Sequence, residues 1–114
     1  MTVYVDDMYA MPMGRYRGMK MSHMIADTEA ELHAMADQIG VKRRWFQQVP
    51  SGNHYDIAMS KRSRAVAAGA VEITMRQCAA ICACQRRGEA YSSPEDAWEK
   101  HRARLSAIIN APEQ

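Results

Sequence analysis

The chain has 114 residues, 47% hydrophobic and 25% charged, with a formal net charge of +2; this suits one soluble domain and is too mild to argue for nucleic acid. No apolar run approaches the roughly 18 residues of a membrane span, and acids stand near the N-terminus where a signal peptide needs cations and then an apolar run, so a cytoplasmic protein is expected. Cys78, Cys82 and Cys84 crowd one segment, are odd in number and lack paired C-x-x-C spacing, which argues for reduced thiols and against a disulfide scaffold or a cysteine zinc site.

Thr2–Asp6 (T-V-Y-V-D) is rich in β-branched and aromatic residues and predicts a strand, ended by Asp6 and Asp7. Residues 8–27 contain Pro12, Gly14 and Gly18 and predict a long loop bearing Arg15, Tyr16, Arg17, Lys20 and His23, with a short strand or helical turn over 19–25. Thr28 and Glu31 form a T-x-x-E capping box, Leu32, Met35, Ala36 and Ile39 follow at helical spacing, and Gly40 ends the helix. Lys42–Gln47 (K-R-R-W-F-Q) predicts a second strand, and Pro50–Asn53 a turn. His54-Tyr55-Asp56 then reads as the loop after that strand. Ser60 is the expected N-cap of a helix to about Ala68, and Ala70–Ile73 a short third strand. Thr74 and Gln77 cap a helix stopped at Gly88; Ser93, Pro94, Glu95 and Asp96 start the last one, whose apolar face is Trp98, His101, Leu105, Ile108 and Ile109. Pro112 and the tail end the order. Most of the ten methionines are expected to fill the core.

The expected fold is therefore an α/β domain over residues 1–88, with a three-stranded parallel sheet (β-α-β-α-β), plus two C-terminal helices. Residues 89–114 are expected to pack on that domain or on a second subunit, which points to a homodimer.

Ligands of open parallel sheets sit beyond the strand carboxyl ends, and the chemistry-bearing residues fall there. His54 and Asp56 are the candidate base and its orienting carboxylate, with His23 from the long loop as a third catalytic residue. Asp6 and Asp7 are the candidate ligands of a hard cation such as Mg²⁺. Arg15, Arg17, Lys20, Tyr55, Ser60, Lys61 and Arg62 are the candidate contacts for an anionic small molecule, with a phosphate suited to the helix start at Ser60. His33 and His101 are read as structural. Arg43 and Arg44 beside Trp45 are a weak nucleic-acid signal. The rival is a non-catalytic protein that docks a host partner through its methionines and cations.

V-Y-V-D-D near the N-terminus, M-K-M-S-H-M-I-A-D-T (Met19–Thr28), E-L-H-A-M-A-D-Q-I-G (Glu31–Gly40), R-R-W-F-Q (Arg43–Gln47), H-Y-D and S-K-R together resemble a small family of bacteria and their phages. It is the domain-of-unknown-function family 4031, marked by an H-Y-D tripeptide. The resemblance runs from about Thr2 to Thr74 and leaves the residues after Gly88 outside. It implies a compact α/β domain in a phage or bacterial setting and supplies no mechanism.

Overall fold

The computed structural model describes residues 2–110. In chain order it has β1 (Val3–Val5), two 3-10 turns (Met8–Ala10 and Pro12–Gly14), β2 (Arg15–Tyr16), β3 (Met19–Ala26) and α1 (Glu29–Ile39). A third 3-10 turn (Arg43–Trp45), β4 (Tyr55–Ala58), α2 (Met59–Ala67), β5 (Val71–Glu72), α3 (Met75–Arg87) and α4 (Pro94–Ile109) follow. The tail from Pro112 lies outside the described residues.

The sheet is mixed and five-stranded, which corrects the expected three parallel strands. β1 and β5 are parallel, while β3 runs antiparallel to β1, β2 and β4. The main cause is β3, an eight-residue strand inside the stretch expected to be mostly loop. Its first residues are exposed and its last are buried on both faces, so it neither alternates nor forms an apolar run. The turn that folds β2 onto β3 is Arg17-Gly18, with φ of 49° and 79°. Positive φ at both positions is the two-residue hairpin geometry that Asn-Gly usually signals.

The second correction concerns 42–58. Lys42–Gln47 is not a strand: Arg43–Trp45 is a 3-10 turn, and Trp45 is 58% exposed. The strand is instead Tyr55–Ala58, which takes the free edge of β3 because Tyr55 and Ile57 can both be buried there. His54-Tyr55-Asp56 is thus the entry to a strand rather than a loop.

Alternation along the strands divides the core in two. Val3, Val5, Met24, Tyr55 and Ile57 pack with Leu32, Met35 and Ile39 of α1 and Ala65 of α2. Tyr4 and Ile25 pack with Cys78, Ile81, Cys82 and Cys84 of α3 and Ala97 of α4. All three cysteines are free and buried. Met8, Met24 and Met35 are buried, but Met11, Met13 and Met19 are exposed, so the methionines do not all serve the core.

The helix ends follow the sequence at α1, α3 and α4. Thr28 Oγ1 accepts the Glu31 N–H and Gly40 is left-handed; Thr74 and Gln77 make a reciprocal capping box closed by Gly88; Ser93 caps Asp96 with Pro94 in the first turn. At α2 the expectation fails. Ala58 holds the N-cap position with no side-chain cap, and Ser60 lies exposed inside the first turn. α4 packs on α3 of its own chain through Ala97 and Trp98, while Leu105, Ile108 and Ile109 stay exposed. Among the described residues no helix is long and apolar enough to cross a membrane.

Ser22 of β3 is fully buried and its Oγ has no hydrogen-bond partner. A buried unsatisfied hydroxyl costs about 1–3 kcal/mol. Ser22→Ala is therefore expected to raise unfolding free energy by about 1 kcal/mol, allowing for the small void left. Urea denaturation of the two proteins checks this, and a destabilised variant would show that Ser22 has a partner.

Candidate functional site

Four polar side chains meet on the sheet face that carries α3. Asp6 follows β1, His23 lies on β3 opposite Asp56 of β4, and the Asp6 N–H donates to the His23 carbonyl at 3.0 Å. These residues form one row across three strands, so sheet spacing brings their side chains together. His54 stands two residues before Asp56 and shares its face. His23 and His54 meet edge to face, with ring centroids 5.1 Å apart.

Each side chain is held from behind. The Asp6 carboxylate is fully buried; its Oδ1 accepts the N–H groups of Met8 and His23, and its Oδ2 faces His23 Nδ1 at 2.6 Å. His54 Nδ1 lies 2.9 Å from the Gly52 carbonyl, and Gln47 Nε2 donates to Asp56 Oδ2 at 2.8 Å. Gly52 is required here: its φ is 141°, and a Cβ would lie 2.5 Å from Cys82 Sγ.

Inward, Asp56 Oδ1 lies 3.4 Å from His54 Nε2 and 3.8 Å from His23 Nε2. That oxygen is buried and accepts no hydrogen bond. The charges are strongly interdependent. The hydrogen bond to Asp6 holds the His23 pKa above its ordinary value against the opposing effect of burial. The close approach of the Asp56 carboxylate raises His54 against the opposing effect of burial, and the same contact lowers Asp56.

His23 and Asp56 also border a cleft of about 680 Å³. Its walls include Arg15, Lys42, Arg44 and Lys61, with the exposed rings of Tyr16 and Trp45. Among the described residues none of these four cations makes an ion pair, whereas Arg43 pairs with Asp37 and Arg62 with Glu72. A smaller cavity of about 170 Å³ lies behind, between His54, Cys78 and Cys82.

The sequence candidates separate on this map. Asp6, His23, His54 and Asp56 converge, but on the sheet face rather than beyond the strand ends. Asp7 does not join Asp6: its Oδ1 accepts the Met75 N–H at the start of α3. Asp6 is likewise engaged by the chain, through the N–H groups of Met8 and His23 and the His23 ring. Arg15 and Lys61 line the cleft; Arg17, Lys20 and Ser60 are exposed outside its walls. Tyr55 points into the opposite core, where its hydroxyl meets His33 Nδ1 at 2.7 Å. Arg62 is buried, donating to the Asp6 carbonyl and to Glu72 and lying over the Tyr9 ring. Neither of these two can meet a ligand without unpacking.

Gln47, Gly52, Lys42, Arg44 and Trp45 were not expected at the site. The strand expected over 42–47 hides Gln47, Lys42, Arg44 and Trp45, while Pro50 and Gly52 signal a chain reversal that returns His54 to Gln47 through paired backbone hydrogen bonds. No curated protein and no solved structure matches the chain. A family model described as a protein of unknown function (DUF4031) matches residues 3–85, and by that match, which spans most of its length, the chain belongs to this family.

Proposed function

We propose that the chain binds a phosphate-bearing small molecule of nucleotide size in the cleft and hydrolyses it at the His23–His54–Asp56 cluster. The observation that carries this reading is the cleft wall: four unpaired cations beside a single carboxylate, opening onto His23 and Asp56. Unpaired guanidinium and ammonium groups favour an anion, and arginine matches phosphate geometry. The volume is ordinary for a small-ligand site, and Tyr16 and Trp45 offer rings on which a base could stack. The attacking water is then activated by the His23–His54–Asp56 cluster at the end of the cleft that His23 and Asp56 border.

Phosphate release from a panel of nucleotides and sugar phosphates, with thermal shift alongside, tests it. A ligand that binds the native state alone raises the melting temperature. Lys42→Ala/Arg44→Ala is expected to weaken binding at least tenfold, since each lost charged contact is worth on the order of 1.5–3 kcal/mol. The melting temperature of the ligand-free protein should change little, because both side chains are exposed. No protection by any anion, or equal protection of the double variant, would defeat the reading.

A second reading has its own support. Met11, Met13 and Met19 are 46%, 70% and 46% exposed, and Met13 and Met19 stand on the cleft wall. Exposed methionines suit an adaptable docking surface, so a non-catalytic interaction protein is the alternative when no anion binds. A homodimer would use Leu105, Ile108 and Ile109 at the exposed end of α4.

A further inference from the structure

We propose that His23, His54 and Asp56 are the three protein ligands of a single divalent transition-metal ion. This concerns the same cluster as the reading above but does not depend on which small molecule the cleft takes.

The argument starts from the protons. Asp6 Oδ2 is an acceptor, so the Nδ1 of His23 that faces it carries a hydrogen. The Gly52 carbonyl can also only accept, so the Nδ1 of His54 carries one too. In each neutral ring the lone pair is therefore on Nε2. Both Nε2 atoms face Asp56 Oδ1, which is itself buried and unpartnered. The three atoms lie within 4.8 Å of one another. Three lone pairs aimed at one small region repel unless something positive sits between them.

Protons on His54 Nε2 and His23 Nε2, both facing Asp56, are the competing arrangement, and metal uptake distinguishes the two. A metal ion satisfies all three. With metal–ligand bonds of about 2.0–2.2 Å, neighbouring ligand atoms around one ion stand roughly 3–3.5 Å apart. The observed 3.4 and 3.8 Å need little adjustment. The support behind each ligand is that of a metal site: a carboxylate on one imidazole, a backbone carbonyl on the other, and an amide on the far carboxylate oxygen.

Two imidazoles and one carboxylate select zinc, iron(II), manganese(II) or a similar ion over Mg²⁺, which prefers oxygen alone. The grouping of Asp6, His23 and Cys78 is a poorer candidate, because the Asp6–His23 hydrogen bond already occupies it. Three protein ligands leave coordination positions free, and His23 and Asp56 border the cleft. Water or a ligand oxygen can therefore complete the sphere from that side.

The test is metal uptake by the full chain after chelator dialysis, by calorimetry and elemental analysis, with Zn²⁺, Mn²⁺, anaerobic Fe²⁺ and Mg²⁺. One equivalent of a transition metal is expected, with Mg²⁺ at least 100-fold weaker. His54→Gln and Asp56→Asn should each weaken binding at least 100-fold, and Tyr55→Phe, on the other face, should not. Circular dichroism in chelator establishes that the variants fold; should Asp56→Asn fail, His54→Gln, on the loop side, decides. Co²⁺ substitution gives a second readout. Visible bands without a thiolate charge-transfer band support nitrogen and oxygen ligation, while a thiolate band places the ion on the cysteines and overturns the proposal. Failure of every transition metal to bind, or full binding by both variants, also overturns it. Metal uptake without phosphate release sustains this proposal and removes the hydrolytic reading.

Discussion

Asp6→Ala is expected to lower unfolding free energy by roughly 3–6 kcal/mol, since it orphans two buried N–H groups at about 1–3 kcal/mol each and removes a charged hydrogen bond. The groups are the amides of Met8 and His23, and the bond is that to the His23 imidazole. A domain of this size has on the order of 5–15 kcal/mol in total, so the variant loses a large share of its stability. Asp6→Asn separates structure from chemistry. Its remaining oxygen can keep both amides, but its NH₂ now faces His23 Nδ1 and drives the ring proton to Nε2, into the cluster. The expected result is a folded protein with metal affinity down by about 10–100-fold, the usual cost of a lost supporting contact. Denaturant titration of both variants, with metal calorimetry on the second, checks this. An Asp6→Ala protein as stable as the parent would show that the carboxylate does not support the strand end.

Asp27→Ala is expected to cost about 2–4 kcal/mol, from three hydrogen bonds to one carboxylate. Oδ1 accepts the hydroxyls of Tyr4 and Tyr91 at 2.9 and 2.7 Å, and Oδ2 accepts the Thr2 N–H at 3.0 Å. Tyr91 comes from the connection between α3 and α4, so this carboxylate ties the C-terminal helix to β1. It also predicts behaviour in base. Burial, and then the bond to Asp27, push the Tyr4 pKa up from 10.0 to about 12, and Tyr91 rises for the same reasons. A pKa raised in the folded state gives stability that is complete below the unfolded value and lost as pH climbs through the folded one. The parent should thus lose stability between about pH 10 and pH 12, and the variant less steeply. Urea titrations across that range measure both slopes; identical slopes would exclude the bonds to Asp27 as the cause.

The sequence made the helices legible because their signals are local. Thr28, Thr74 and Ser93 as caps, with Gly40 and Gly88 as stops, need no tertiary partner to be read. The strands were harder because pairing decides them. Lys42–Gln47 has better strand residues than Tyr55–Ala58, yet the latter won the edge of β3 by burying Tyr55 and Ile57. β3 itself was obscured by an Arg-Gly turn and by Ser22 and His23 in its middle. The expected clustering of Asp6, His23, His54 and Asp56 rests on an all-parallel topology that the chain does not have. A single antiparallel row brings them together instead. Arg62 shows the limit most plainly: nothing local distinguishes it from Lys61, but it is buried while its neighbour lines the cleft.

The central place of β3 also bears on the time course of folding. Its turn with β2 closes over two residues, and such hairpins form within roughly 1–10 μs. β4 next needs the intervening helix and loop to close, and β5 must return to β1 across most of the chain. Longer closures are slower because chain entropy is lost before any contact rewards it. His23, His54 and Asp56 belong to β3, β4 and the turn before β4, so their meeting does not wait for β5 or α4. The His23–His54–Asp56 cluster can therefore assemble before the parallel pair and the helix that covers it.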